Sequence, residues 1–234
     1  MTQATTNRAH YALKKSPHSS HHRILALLVN PGERRRVLDV GAGTGELSLI
    51  LAERGYEVTA VERFPISENV AGRVEFYQAD LDEALPPLKG AYDWILCADV
   101  LEHVREPQIL LQRLHALLTP GGVVLASLPN SGHWYFRIHI FFGSFPRHDK
   151  GLFDRTHLHF FMWRNWLDLF QSAGYRVDAP VVTAPPADLK FPNAAGSLWL
   201  RCLDAVSRAL ARFWKELFAY QFIVVVRPVR SGRQ

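Results

Sequence analysis

The stretch RVLDVGAGTGELSLILAERGYEVTAVE, residues 36–62, decides the fold of this 234-residue chain. Its apolar run 37–40 is typical of a buried parallel strand. A glycine-rich turn at 41–45 follows, and apolar residues then recur at helical spacing over 46–54. The β-branched run 57–61 predicts a second strand. Together these features predict a strand–helix–strand unit.

The glycine-rich turn predicts a nucleotide site. Glycines allow a tight turn and let a ligand approach the backbone closely. The N-terminus of the following helix presents N–H groups that have no partner within the helix. Glu62 ends the second strand, 19 residues after Gly43, where a carboxylate can accept hydrogen bonds from two ribose hydroxyls.

The residues around the turn argue against a dinucleotide. The dinucleotide fingerprint requires a third glycine at the position of Glu46, and a carboxylate there would face the pyrophosphate. Asp39 at the strand end suits the charged ammonium of an amino-acid group instead. The pattern therefore indicates an adenosine ligand that carries an amino acid, which describes S-adenosyl-L-methionine (SAM).

These residues closely resemble the cofactor-binding motif of the class I SAM-dependent methyltransferases. The resemblance implies one domain over residues 1–234, built on a Rossmann-like, doubly wound α/β sheet. That sheet has seven strands and is mostly parallel, with an antiparallel last strand. In the family, an acidic residue after the third strand holds the adenine amino group, and Asp80 matches it. The implied cofactor-binding residues are Asp39, Gly41, Ala42, Gly43, Gly45, Glu62, Arg63, Asp80, Leu81, Ala98 and Asp99.

The segment ADVLEHV, residues 98–104, is similar to the one that follows strand four in ubiquinone-type and related small-molecule methyltransferases. In a doubly wound sheet this strand end borders the site. His103 is therefore a candidate for acceptor contact, with a bond to the backbone of the next loop as the alternative.

Residues 131–161, SGHWYFRIHIFFGSFPRHDKGLFDRTHLHFF, form an aromatic insertion after strand five. A plain connection would take only a few residues, so we expect an acceptor pocket or lid here. The segment resembles bacterial methyltransferases that are often encoded with cell-surface glycan or secondary-metabolite genes. Trp134, Tyr135 and Arg137 are candidates for acceptor contact, whereas Phe141, Phe142 and Phe145 are expected to pack in the core or lid.

Methyl transfer to a hydroxyl of high pKa requires a base. His157 is the first candidate, with Asp154 to orient it or to bind the acceptor, and His133 is the second. In the alternative interpretation, Asp154 pairs with Arg155 to hold the loop and His157 caps the next helix. No Asp/Asp/Asn triad is evident, and no further ligands support the histidines of residues 18–22, so no metal is predicted.

Two flanking segments complete the domain. Residues 1–33 are expected to form an arm and a cap helix from His21 to Val29, with Ser19 or Ser20 as N-cap and with Tyr11 or these serines lining the cofactor pocket. Residues 194–218 predict a long helix that acts as a lid or dimer element. Its charged residues argue against a membrane span but allow weak contact with a membrane surface.

Composition sets the remaining expectations. The net charge of +5 permits attraction to anionic surfaces, but no nucleic-acid-binding module is evident. Cys97 and Cys202 are interpreted as buried thiols of a reducing compartment. With no signal peptide in the polar N-terminus, we expect a cytoplasmic protein.

These features predict a SAM-dependent methyltransferase, monomeric or homodimeric, that acts by O-methylation on a small-molecule or lipid- or glycan-linked acceptor. The alternatives are an NAD(P)-dependent oxidoreductase and a non-catalytic SAM-binding subunit.

Overall fold

The predicted strand–helix–strand unit is present in the computed structural model, which describes residues 19–33, 35–185 and 197–229. The helices and strands in chain order are α1 (Ser20–Leu27), β1 (Arg36–Val40), α2 (Glu46–Glu53), β2 (Glu57–Glu62), β3 (Glu75–Gln78), β4 (Tyr92–Ala98), α3 (Pro107–His115), β5 (Leu118–Pro129), α4 (Trp134–Phe141), α5 (Trp163–Ser172), β6 (Tyr175–Val177), β7 (Val181–Thr183), α6 (Leu198–Phe213), α7 (Lys215–Phe218) and β8 (Gln221–Pro228).

The sheet has the order β3-β2-β1-β4-β5-β8-β6, and β7 also pairs with β8. Strands β1 to β5 pair in parallel, and β8 runs antiparallel to its neighbours, as expected for the last strand. The described residues contain eight strands rather than seven. The single strand predicted over 175–182 is divided into β6 and β7 because Pro180, between them, has no N–H to donate to β8.

Side-chain alternation in β1 places helices on both faces of the sheet. Val37 packs with α1 and α2, whereas Leu38 and Val40 pack with α3 and α5 on the opposite face. Alternate residues of a strand point to the same face, so Asp39 lies on the α2 side with Val37. The fold therefore buries this carboxylate beneath the helix that follows the glycine turn.

Several predicted boundaries differ from those observed. Helix α1 begins at Ser20, with Ser19 as its N-cap. Residues 119–122, Thr-Pro-Gly-Gly, have a composition that is typical of a turn, but they belong to β5. The predicted helix 194–218 is observed as α6 and the short α7, which meet at Trp214 in a non-helical conformation. The predictions for residues 1–18, which include Tyr11, and for residues 186–196 lie outside the described residues.

The aromatic insertion forms a small core of its own. Phe136 of α4 stacks on Phe153 with ring centroids 4.4 Å apart, and Phe145 lies edge-on to both rings. Phe141 and Phe142 are 82% and 77% exposed, so the prediction that they pack in the core or lid is wrong. Both follow Phe136 on the outward side of α4, where no other element covers them among the described residues.

Asn130 fastens the insertion to the C-terminal part of the chain. Its Nδ2 donates to the carbonyl oxygens of Glu216 and Ala219 at 3.2 and 2.7 Å, and its Oδ1 accepts from the backbone N–H of Gly132 at 2.9 Å. The chain just before α4 is therefore held beside α7, the short helix that follows α6.

The two cysteines differ in environment. Cys97 is buried in β4, and burial raises the pKa of its thiol. Cys202 is exposed on α6, so the prediction that it is buried is wrong. Among the helices of the described residues, none combines the length and apolar composition that a bilayer span requires.

The close approach of β4 to the glycine turn generates a prediction. Gly41 has φ +72°, and a Cβ added there would lie 2.6 Å from Cγ2 of Val100. Gly143 has a similar φ of +68°, but no atom of the described residues lies within 4 Å of an added Cβ. Alanine should therefore cost about 1–2 kcal/mol at either site through its backbone conformation, with a further loss at Gly41 through the collision.

Urea denaturation of Gly41→Ala, Gly143→Ala and the double variant Gly41→Ala/Val100→Ala measures these effects. The first variant should be less stable than the second, and the Val100 substitution should cost less in the Gly41→Ala background than alone. Equal stabilities of the two alanine variants would contradict the role assigned to this contact.

Candidate cofactor and acceptor site

The glycine turn lies at the C-terminal edge of the sheet. At this edge the chain leaves the neighbouring strands β1 and β4 toward opposite faces of the sheet. The backbone N–H groups of Gly41 and Ala42 donate to the Val61 carbonyl at 2.8 and 3.2 Å. Gly41, Gly43 and Gly45 all have positive φ, a conformation that residues with a Cβ rarely adopt. The turn is therefore drawn tightly against β2 and presents backbone rather than side chains.

Glu62 meets the turn from the end of β2. Its Oε2 accepts from the Gly43 N–H at 2.8 Å, and its Oε1 accepts from the N–H groups of Arg63 and Phe64 at 2.8 and 3.2 Å. Burial raises the pKa of Glu62, and these hydrogen bonds oppose that shift. The structure thus brings Gly43, Glu62 and Arg63 together, as the sequence pattern predicts.

Asp39 lies beneath the turn and is almost fully buried. Its Oδ2 accepts a hydrogen bond from the Ser48 hydroxyl at 2.6 Å. Burial raises the pKa of Asp39 to about 6, a rise that the Ser48 bond opposes and the nearby Glu62 carboxylate adds to. The carboxylate therefore supports the turn from the α2 side.

Asp80 and Leu81 follow β3 on the same edge of the sheet. The Ala79 N–H donates to the Glu62 carbonyl at 3.0 Å, which places this segment beside the end of β2. Asp80 Oδ1 accepts from the Asp82 N–H at 3.0 Å, and Oδ2 lies 3.3 Å from Arg63 Nε. The carboxylate thus lies beside Arg63, near the end of β2, in the region predicted to hold adenine.

Asp99, directly after Ala98 at the end of β4, connects three parts of the chain. Its Oδ1 accepts from Ser127 Oγ at 2.6 Å and from Gln221 Nε2 at 2.7 Å, and its Oδ2 accepts from Ser20 Oγ at 3.4 Å. Its backbone has φ +57°, which is uncommon for a residue other than glycine. Sequence reasoning missed Ser127 and Gln221, because they meet Asp99 only when β5 and β8 pair.

A cluster of Glu102, His103 and His157 lies beyond Asp99, and we call it the Glu-His-His cluster. His157 Nε2 is 4.0 Å from Glu102 Oε1, and the two histidine rings have centroids 4.7 Å apart. The N–H groups of Leu158 and His159 donate to the Glu102 carbonyl at 2.9 and 3.2 Å. The insertion is thereby bound to the segment that follows β4.

Asp154 lies in the turn that precedes His157, and its catalytic role stays a prediction. Its Oδ1 accepts from the backbone N–H and the hydroxyl of Thr156, at 2.8 and 2.6 Å, which shapes the turn before His157. The carboxylate beside the His157 ring is Glu102, and Arg155 pairs with Asp149 rather than Asp154. Sequence reasoning missed Glu102 because it is distant in the chain from His157.

His133 lies at the start of α4 as its N-cap. Its Nδ1 accepts from the Tyr135 N–H at 3.2 Å, and its ring is 5.9 Å from that of Tyr220. Trp134 is 43% exposed, and Arg137 Nε donates to the Gly132 carbonyl at 2.6 Å. Trp134, Tyr135 and Arg137 therefore share one helix, His133 caps its N-terminus, and Arg137 bonds to the backbone just before it.

A family model described as a methyltransferase domain matches residues 9–179 of this chain. The ubiquinone biosynthesis O-methyltransferase of Bordetella avium (strain 197N) is 36% identical over 104 residues, which are 41% of this chain and 43% of that protein. The chain spans about half the length of the curated relatives it matches.

Solved structures extend the likeness over the whole fold. Magnesium protoporphyrin IX methyltransferase of Synechocystis PCC 6803 with bound SAH has a TM-score of 0.59 at 19% identity, covering 96% of this chain and 94% of that one. The 1,6-didemethyltoxoflavin-N1-methyltransferase of Burkholderia thailandensis has a TM-score of 0.56 at 18% identity, with coverages of 90% and 79%. At such identities the likeness establishes a shared fold.

The buried Asp39 gives a pH-dependent prediction. Its folded pKa of about 6 lies above the ordinary value of 3.8, so the folded state holds the proton more tightly. Its contribution to stability is therefore fully present below about pH 4 and is lost as the pH rises through 6. Asp39→Asn keeps the Ser48 bond and cannot ionise. The free energy of unfolding of this variant, relative to that of wild type, should therefore rise by roughly 3 kcal/mol as the pH increases from about 4 to 7.

Urea denaturation of both proteins across this range measures the difference directly. The exposed Asp168→Asn, compared in the same way, is the matched control and should show no such trend. A stability difference for Asp39→Asn that stays constant with pH would contradict the assigned ionisation.

Proposed function

Since the chain belongs to the methyltransferase domain family, we propose that it transfers a methyl group from SAM to a hydroxyl group of a small or lipid- or glycan-linked acceptor. The observation that carries this proposal is the position of the Glu62 carboxylate. Its Oε2 accepts from the Gly43 N–H at 2.8 Å, at the sheet edge where the chain leaves β1 and β4 toward opposite faces. In a doubly wound sheet, ligands bind in the crevice at this point.

The residues of the turn fit such a cofactor. A carboxylate has about four acceptor sites, and backbone N–H groups occupy three of those of Glu62, so one remains for a ribose hydroxyl. The positive-φ turn leaves backbone exposed toward the amino-acid part of the ligand, and the buried Asp39 places an ionisable carboxyl beneath it. Glu46 in the first turn of α2 disfavours a pyrophosphate, which argues against an NAD(P)-dependent oxidoreductase.

SAM supplies an electrophilic methyl group, so the protein has to position the acceptor and to assist loss of its proton. The acceptor oxygen attacks the methyl carbon, the carbon–sulfur bond breaks with its electron pair passing to sulfur, and the hydroxyl proton leaves. His157 is the proposed proton acceptor, and Glu102 at 4.0 Å is the group that stabilises its protonated form. The remaining candidates, His133 and Asp154, are instead assigned to hydrogen bonds within the insertion.

The insertion supports an acceptor site on the β5 side of the sheet. Trp134 and Tyr135 start α4, directly after the strand end, and the aromatic core of the insertion stands behind them. A partly apolar wall of this kind suits an aromatic or lipid-linked acceptor. The resemblance of the chain to a ubiquinone biosynthesis O-methyltransferase over 104 residues favours oxygen as the methylated atom.

Calorimetry with SAM, S-adenosylhomocysteine (SAH) and NADH tests the proposal. We expect micromolar binding of SAM and SAH and none of NADH. Glu62→Gln removes one of the acceptor oxygens, and losing a charge-assisted hydrogen bond should weaken binding roughly 10–100-fold. Glu57→Gln, at the exposed opposite end of β2, is the matched control and should bind like wild type.

Three other results of these measurements would contradict the proposal. Binding of NADH in place of SAM would establish the oxidoreductase alternative. Absence of all binding would overturn the proposed site. SAM binding without methylation of any hydroxylated acceptor, including ubiquinone precursors, would favour a non-catalytic SAM-binding subunit.

A partly lipidic acceptor is consistent with a second feature, an exposed apolar surface. Helices α4 and α6 carry exposed apolar side chains. Asn130, just before α4, donates to a carbonyl of α7, the short helix that follows α6. Exposed basic residues, among them Arg201 and Arg212, accompany them on α6. A surface of this composition suits the face of an anionic membrane. Its exposed apolar members are Ile138, Ile140, Phe141, Phe142, Leu198, Trp199, Val206, Phe213 and Trp214.

Sedimentation with lipid vesicles measures this contact. The protein should co-sediment with vesicles that contain phosphatidylglycerol and less with neutral phosphatidylcholine vesicles. Phe141→Ser/Phe142→Ser should reduce the bound fraction severalfold, whereas Phe64→Ser, an exposed phenylalanine on another edge, should not. Equal binding by both variants, or dimerisation through this surface in light scattering, would contradict the membrane assignment.

A further inference from the structure

We propose that the Glu-His-His cluster is a binding site for a divalent transition-metal cation, with Zn²⁺ as the representative ion. Glu102, His103 and His157 each offer one ligand atom, and these atoms all lie within 4.8 Å of one another. The sequence alone predicted no metal. Two of the residues are adjacent but the third lies in the insertion, so the sequence does not show that the three are close together. The tertiary structure brings the third to the other two.

The distances are close to those of an assembled site. Ligand atoms held about 2.0–2.2 Å from a tetrahedral zinc ion lie roughly 3.4 Å apart. His157 Nε2 and Glu102 Oε1 are already 4.0 Å apart. A closure of about 1 Å, within reach of side-chain rotation, would complete the three-ligand arrangement.

Neighbouring groups orient the ligands as in known metal sites. His103 Nδ1 lies 3.2 Å from the Thr156 carbonyl oxygen and 3.1 Å from the Thr156 hydroxyl. When Nδ1 donates to that carbonyl, Nε2 carries the lone pair that binds a metal. Thr156 is in turn held by Asp154 at 2.6 Å, which gives the Asp154 carboxylate an indirect role in this site.

Burial also favours a cation at this position. Glu102 is 1% exposed and His157 is 9% exposed, whereas His103 is only partly buried. A carboxylate removed from water is stabilised by a positive charge within reach of its oxygens. The partly exposed His103 leaves one side open, through which an ion can enter.

The chemistry of the donor set points to a transition metal rather than to Mg²⁺ or Ca²⁺. Two imidazoles and one carboxylate suit zinc or iron(II), and such sites retain open coordination positions. The role of the cation in the reaction rests on the proposed function. The cation would lower the pKa of an acceptor hydroxyl bound at an open coordination position. The histidines would then act as ligands, and the hydroxyl proton would pass to water.

Zinc binding by the full-length, tag-free chain tests this inference. Competition with a chromophoric chelator gives the affinity, and the visible spectrum of bound Co²⁺ reports imidazole and carboxylate ligation. Wild type should bind one ion, and His157→Gln, Glu102→Gln and His103→Gln should each weaken binding tenfold or more. His148→Gln, an exposed histidine of the insertion outside the cluster, should bind like wild type.

A second control addresses the N-terminal histidines, which are a competing source of ligands. His18→Gln/His22→Gln should leave the affinity of the cluster unchanged. SAH binding, measured for each variant, reports an intact fold independently of the metal. His103→Gln, at the least buried ligand, keeps the test valid when the buried variants fail to fold.

Zinc binding that survives all three cluster substitutions, or that is lost with the N-terminal pair, would overturn the site. Absence of zinc binding together with normal SAH binding would also overturn it and would leave His157 as the proposed base. Zinc binding at the cluster without SAH binding would uphold the site while removing the proposed function.

Discussion

The constraint on which the rest of the site depends is the packing of Val100 against Gly41. A side chain at Gly41 would lie 2.6 Å from Cγ2 of Val100, so the segment after β4 can cross this close to the turn only because position 41 is glycine. That crossing sets the path of residues 99–104. Asp99, Glu102 and His103 all depend on it, because each is on this short segment.

The segment after β4 then acts as a junction for elements distant in sequence. Asp99 bonds to β5 through Ser127 and to β8 through Gln221, while the carbonyl of Glu102 accepts from Leu158 and His159 of the insertion. The predicted cofactor side and the predicted acceptor side are thus connected by a few consecutive residues. A displacement of this segment would move both sides together, which suits a reaction that needs the two reactants in line.

Three carboxylates lie in or just after the strands β1, β2 and β4, and different partners offset the effect of burial on each of them. Asp39 depends on one hydroxyl, so burial dominates and raises its pKa to about 6. Glu62 accepts three backbone N–H groups, which oppose the same effect of burial. Glu102 has histidines as its neighbours. These differences follow from the partners that each strand end meets.

The sequence by itself determined the strand–helix–strand unit, the glycine turn and the position of Glu62 at the end of the second strand, because these depend on local periodicity and on residues close in the chain. The antiparallel last strand was implied by the family resemblance, and the assignment of the insertion to the acceptor side stays a prediction. Only the tertiary structure decided that β6 and β7 are separate, that Phe141 and Phe142 are exposed, and that Asp154 shapes a turn while Glu102 faces His157. Such pairings depend on which strand ends and loops meet across the sheet edge, and contacts between residues distant in the chain leave no periodic signal in a single sequence.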